Sequence, residues 1–177
     1  MNTTSSLRDK GIVLIRVAMG WVFLFAGIEK FLNLDGGKPF GAAGFLQFGT
    51  AGSWPGVVLA KGESLNPTHQ FWADLATNQG LMSVINVLVV FGEVAIGAAL
   101  ILGLFTRFAS VMGVVMLSFF YVAAWDFSLG IVNEQLMYAI ITGSLGIIGA
   151  GQVFGLDAVI EKTRFVQKAP ALRYVLG

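Results

Sequence analysis

The sequence predicts an all-α integral membrane protein, a four-transmembrane-helix bundle with a long outer loop after the first helix. Three observations carry this prediction. Only 12% of the 177 residues are charged while 56% are hydrophobic, against about 25% charged in a soluble domain. Too little polar surface is left to coat a water-facing globule, and the mean hydropathy is +0.79. Four apolar stretches reach spanning length, which is about 20 residues for a hydrocarbon core of about 30 Å. None of them alternates polar and apolar residues as a barrel strand would, and a helix satisfies its own backbone in lipid. The length fits one domain, at roughly 150 residues per domain.

The first span is expected over 12–34. Arg8 and Lys10 precede it, as a charged region precedes the apolar part of a signal peptide. The apolar run exceeds the usual length of about 7–15 residues, contains Arg16, Glu29 and Lys30, and lacks a small-x-small cleavage site. It reads as a retained helix. The second and third spans, expected over 81–104 and 108–126, meet at Thr106-Arg107, which forces an antiparallel hairpin. The fourth is expected over 135–154. Between the first and second spans, residues 35–80 form a long loop rich in Gly, Pro and aromatics. Phe40, Phe45, Leu46, Phe48, Trp54, Phe71 and Trp72 suit short helices at the membrane interface, where aromatics collect. Such a segment reads either as a lid over one end of the bundle or as a substrate gate. Glycines recur at packing spacing, including Gly20 and Gly27, Gly92 and Gly97, and Gly143, Gly146, Gly149 and Gly151. In lipid, close backbone approach drives helix association.

Lys/Arg placement sets the expected orientation. Arg8, Lys10, Arg107, Lys162, Arg164, Lys168 and Arg173 fall on one side, which places both termini in the cytoplasm and the long loop outside. The tail over 156–177 is expected to be amphipathic, with its basic residues against anionic headgroups.

Composition also excludes classes of function. Net charge is +1, so no global basic field attracts nucleic acid. The absence of cysteine removes disulfides, a thiol nucleophile and cysteine-ligated zinc or iron–sulfur from this chain. His69 is the single histidine, and no covalent cofactor or metal is predicted. The GAGQVFG stretch is glycine-rich, but it closes a membrane helix rather than following a strand, so it is not a dinucleotide fingerprint.

Ionisable groups inside the spans are the clearest chemical signal, because a charge at a helix centre costs about 2.5–3.5 kcal/mol on insertion scales. Glu93 lies near the middle of the second span, too deep to reach water. It must be protonated, paired or solvated by a cavity, and it serves either function or helix register. Arg16, about one turn inside the cytoplasmic face, can extend its head to the interface. Glu29, Lys30, Asp126, Asn133 and Glu134 are expected at similar depth near the outer face, with Glu93 two or three turns below. Several carboxylates with one ammonium suit proton or anion handling. Asn133 and Glu134 also suit a plain helix cap. Arg107 fits a positive-inside anchor. Trp21, Phe23, Phe25, Tyr121 and Trp125 fit either helix packing or a slot for a ring-shaped ligand.

These residues sit in a familiar arrangement. The first span reads LIRVAMGWVFLFAGIEKFLN, the second and third FGEVAIGAALILGLFTRFAS, and the fourth runs from NEQLMYAI to GAGQVFGLD. The chain resembles the DoxX/DoxD family of four-helix membrane proteins over about 12–157, most closely the DoxD-like branch with a GSWPGVVLA-like segment in its long loop. The resemblance implies a membrane subunit of quinone-linked sulfur redox chemistry, such as a thiosulfate:quinone oxidoreductase, with quinone as a diffusible substrate. It also implies a second subunit, DoxA-like or part of another membrane complex. Arg16, Lys30, Glu93, Arg107, Asn133, Glu134 and Asp157 match the family's recurring polar positions. On that reading Glu93, Lys30, Glu134 and Asp126 are the catalytic candidates, and Arg16, Glu29, Trp125, Asn133 and Arg107 the candidates for binding substrate or quinone. The alternatives are a non-catalytic structural or assembly subunit of a respiratory or redox complex, and a small transporter.

Overall fold

A computed structural model of the chain describes residues 3–33, 39–51, 65–125, 130–163, 166–167 and 174–177. The described residues form helices and connecting turns: α1 (Thr3–Phe31), α2 (Ala42–Phe48), α3 (His69–Ala76), α4 (Gln79–Leu102), α5 (Thr106–Ala123), α6 (Glu134–Ile147) and the single turn α7 (Asp157–Ile160). Three of these are long and apolar enough to cross a membrane: Ser6–Phe31 within α1, α4 and α5. Their outward faces are apolar. Leu14, Trp21, Val87, Leu88, Phe91, Val111 and Phe119 are all exposed, an arrangement that favours lipid over water.

Each long helix ends for a local reason. The Asn78 side chain caps α4 by accepting from the Leu81 N–H at 3.1 Å, and Gly103 closes it at φ +63. Asn133 caps α6 in the same way, accepting from the Leu136 N–H at 3.1 Å. Residue Asn33 turns to φ 54 after α1, so the first helix stops at Phe31 rather than running to 34.

The fourth helix is shorter than the expected 135–154. It ends at Ile147, because Gly149 adopts φ +66 and a 3-10 turn, Ala150–Gln152, follows. Its 14 residues cover only about 21 Å at 1.5 Å per residue. It lies antiparallel to α5: Gly146 sits against Ser110, and Gly113 against Thr142. At the other end the Tyr121 hydroxyl donates to the Ile131 carbonyl at 2.9 Å.

α1 packs on α4 and α5 on α6, and two apolar clusters hold the molecule together. Met19, Phe23, Ile96, Leu100, Ala109, Leu117, Leu145 and Ala150 form the bundle core. Leu46, Trp72, Ala76, Met82 and Ala123 form a second cluster, which seats α2 and α3 on the ends of α4 and α5. The long loop therefore supplies short helices that cover one end of the bundle, here called the outer end. Asn86 accepts from the Ala42 N–H at 2.9 Å, and Asn66 donates to the Ala123 and Val122 carbonyls at 2.9 and 3.1 Å. Trp54 lies outside the described residues. In the tail beyond α7, Val166 and Leu176 are buried, and the Val175 carbonyl accepts from the Phe108 N–H at 3.3 Å. Val166 and Leu176 thus pack on the bundle, while Arg164, Lys168 and Arg173 lie outside the described residues.

Candidate functional site

The closest approach in the bundle decides where its charges meet. A Cβ on Gly20 would stand 2.9 Å from the Gly97 carbonyl, and one on Gly27 would stand 2.8 Å from the Val94 backbone nitrogen and 3.0 Å from the Glu93 Cβ. The two glycines let α1 press its backbone against α4, at about one and about three turns below its end at Phe31. That contact brings Lys30 level with Glu93. The Lys30 ammonium donates to both Glu93 carboxylate oxygens at 2.9 Å and to the Ala26 carbonyl at 3.3 Å. It also lies 5.7 Å from the centre of the Phe40 ring. The Glu93 side chain is 4% exposed and that of Lys30 24%. Charge-assisted bonds of this kind are about twice as strong as neutral ones.

The expected depths are corrected here. Lys30 does not stand two or three turns above Glu93 but binds it directly. α4 runs well beyond the end of α1 on the outer side, and the lysine folds back along its own helix. Glu29 is half-buried beside it. Asn133 serves as a cap, and Glu134 is exposed and accepts from the neighbouring Gln135 amide at 3.1 Å. Among the described residues neither bonds to Lys30 or Glu93. Asp126 lies outside the described residues. Trp125 stacks on Tyr121, with ring centres 6.2 Å apart and planes at 25°. The five aromatics do not share one slot: Phe23 is in the core, while Trp21 and Phe25 are 58% and 50% exposed on the outside of α1. His69 belongs to the loop helices, its ring Nδ1 2.6 Å from the Thr50 hydroxyl.

A second polar centre lies at the opposite, inner end. Arg16 is 2% exposed, so its head does not reach the interface. The guanidinium instead donates to the Ala150 carbonyl, to Val153 at 2.9 Å and to Phe154 at 3.5 Å. The glycine-rich GAGQVFG stretch is thus a carbonyl cage for an arginine. Alongside it, the buried Asp157 carboxylate accepts from the N–H groups of Phe105 at 2.7 Å, Thr106 at 2.9 Å and Gly177 at 2.8 Å. It caps α5 from across the bundle, where the helix dipole favours an anion. Arg107 is exposed one residue further along. Thr106, Ser110 and Thr142 line the nearby α5–α6 contact, and their buried hydroxyls have no hydrogen-bond partner among the described residues.

Sequence reasoning singled out Glu93 and Lys30 but not their bond. It also gave no specific role to Asp157 and passed over Asn66 and Asn86. Asp157 follows the glycine-rich stretch that holds Arg16, which is a usable signal. Asn66 and Asn86 act only through tertiary contacts and leave no local mark.

The sequence from within α1 through α5 matches one known family. The family model of DoxX matches residues 11–128, which takes in Arg16, Lys30, Glu93 and Arg107. No curated protein matches the chain, and no solved structure matches it. With two thirds of its length matched, and with several apolar helices of spanning length, the chain is a multi-pass membrane protein belonging to the DoxX family.

Proposed function

We propose that the chain is a DoxD-like membrane subunit of quinone-linked redox chemistry, with the Lys30–Glu93 pair as its proton- and anion-handling centre. The observation that carries this reading is the pair itself: an ammonium on both oxygens of a nearly buried carboxylate at 2.9 Å, inside an apolar bundle. Ionisable groups within spanning helices are costly to insert and mark proton or ion paths in many membrane proteins. Oxidative coupling of two thiosulfate anions to tetrathionate releases two electrons. Reduction of a quinone to quinol takes up two electrons and two protons. When Glu93 takes up a proton, Lys30 is left with the uncompensated positive charge that draws the anion; Glu93 then passes that proton to the quinone oxygen and returns to its ion pair with Lys30. Phe31 and Phe91, in edge contact at 6.2 Å and 59% and 58% exposed, stand at the same depth on the lipid side. A ring dissolved in the bilayer approaches there. Glu29, half-buried next to Lys30 in the chain, begins the path outward, while Arg16 and Arg107 hold the inner end.

On this reading four helices cross the cell membrane, α6 being the fourth, and both termini are cytoplasmic. A second subunit, DoxA-like or part of a larger complex, completes the enzyme.

The test is reduction of a soluble quinone by thiosulfate, measured with the purified chain and with whatever copurifies with it in stoichiometric amount. The expected result is reduction by the native preparation that is lost in Glu93→Gln, while the unfolding midpoint shows the variant folded. Full activity in Glu93→Gln removes that residue from the mechanism. No reduction by any preparation favours a second reading, a structural or assembly subunit. The inner-end network supports that alternative, since the hydrogen bonds of Arg16 and Asp157 hold turns together.

A further inference from the structure

We propose that a groove at the inner end of α1 binds one anionic phospholipid, with the headgroup phosphate on Lys10 and an acyl chain between α1 and Phe154. The groove holds about 360 Å³ and is lined by Lys10, Val13, Leu14, Val17 and Phe154. Residues 10, 13, 14 and 17 share one face of a helix, so the lining is a continuous apolar strip with a single cation at its end. Depth fits a lipid. Arg16 lies against Gly103 and Gly155 in the inner turns. Lys10, six residues earlier in α1, stands about 9 Å further out along the axis, at headgroup level. Val13 and Leu14 lie between, where acyl chains begin, and Val17 continues the strip one residue past Arg16.

Two further features point to a specific occupant rather than to general lipid contact. Arg8 is already engaged with Asp9 at 3.4 Å, whereas Lys10 is exposed and has no partner among the described residues. The unneutralised charge at the mouth of an apolar groove complements a phosphate carried on a hydrocarbon chain. Phe154, moreover, is a non-glycine residue at φ 50 and is 82% exposed. The left-handed backbone costs free energy for any residue with a Cβ, and here it turns a large apolar ring outward to form the far wall. Arg16 fixes that turn by donating to the Phe154 carbonyl at 3.5 Å.

The experiment uses the full chain in detergent with equimolar phosphatidylglycerol and phosphatidylcholine of matched acyl chains. Retained lipid is read by native mass spectrometry. One phosphatidylglycerol is expected to be retained in preference to phosphatidylcholine. In Lys10→Gln the preference falls about fivefold, the weight of one lysine at an anionic surface. Phe154→Gly loses the retained lipid without loss of fold, because glycine accepts the positive φ. Lys162→Gln, at another exposed position, leaves the preference unchanged. Equal retention of the two lipids by the native chain overturns the proposal. So does an equal fall in Lys162→Gln and Lys10→Gln, which makes the preference one of diffuse surface charge. Undiminished retention in Phe154→Gly removes the groove.

Discussion

Lys30 holds both Glu93 oxygens at 2.9 Å, yet the two side chains are 24% and 4% exposed, so removing one is not equivalent to removing the other. Lys30→Met leaves a buried carboxylate without its cation, and breaking a buried pair in this way costs about 3 kcal/mol. Glu93→Leu leaves an ammonium that keeps the Ala26 carbonyl and has a route to the surface, so its cost is about 1 kcal/mol, as for exposed pairs. The double variant should return to within about 1 kcal/mol of the native chain, because an apolar pair replaces a desolvated ionic one. Unfolding in mixed micelles measures all three, and equal single costs would show that the difference in exposure carries no energetic weight. Asp157 is a second case. Its carboxylate takes three backbone N–H groups, and Asp157→Asn presents one acceptor oxygen in place of two. At least one buried donor is then orphaned, at about 1–3 kcal/mol, seen as a lowered unfolding midpoint. Glu93 was legible in the sequence because no local device can satisfy an acid in VVFGEVAIG. Its partner, 63 residues away, was placed at the wrong depth. The pairing depends on where α1 stops and how closely it meets α4, and neither distance is written in a hydropathy pattern.

Among the elements, the α1–α4 contact is the one that backbone proximity controls. A Cβ on Gly97 would lie 2.7 Å from the Gly20 carbonyl and 2.7 Å from the Leu24 Cα, atoms that cannot move without parting the helices. Gly97→Ala should therefore destabilise by about 1–3 kcal/mol and loosen the Lys30–Glu93 bond with it. Gly44→Ala is the contrasting change. Nothing lies within 4 Å of its Cβ, and alanine in the helix α2 gains about 0.5–1 kcal/mol over glycine. Unfolding midpoints should thus move in opposite directions, and a fall in both would contradict the packing argument. The helices α4 and α5 were legible to within three residues because their apolar runs are bounded by turn and capping residues such as Asn78 and Gly103, whereas α1 begins at Thr3, nine residues before its apolar run. The end of α6 was not legible. Both Gly146 and Gly149 read as packing positions, and only the fold distinguishes Gly146, seated on Ser110, from Gly149, which turns to φ +66 and ends the helix.

At the scale of the whole molecule, the length of α6 bears on topology. Three helices reach spanning length by composition, and an odd number of crossings would put the termini on opposite sides. The contacts argue for an even number. The turns after α6 supply the carbonyls that hold Arg16 of α1, and Asp157 caps the start of α5. The end of α6, the beginning of α1 and the α4–α5 turn therefore share one end of the bundle. Ile131, before α6, bonds to Tyr121 near the other. With 14 residues α6 is short for an average bilayer; on the proposed four-span reading the deficit of roughly 9 Å against a 30 Å core would be met by the turn through Gln152 and by local thinning. The chain has no cysteine, so single cysteines report sidedness without background. Leu7→Cys and Thr163→Cys should both resist a membrane-impermeant maleimide applied to intact cells, while Gln79→Cys and Val132→Cys react with it. Permeabilised cells should label all four. Labelling of Thr163→Cys but not Leu7→Cys in intact cells would mean that α6 does not cross. The contact between Arg16 and the Ala150–Phe154 turn would then have to be wrong as well, since no arrangement keeps that bond and separates the two ends.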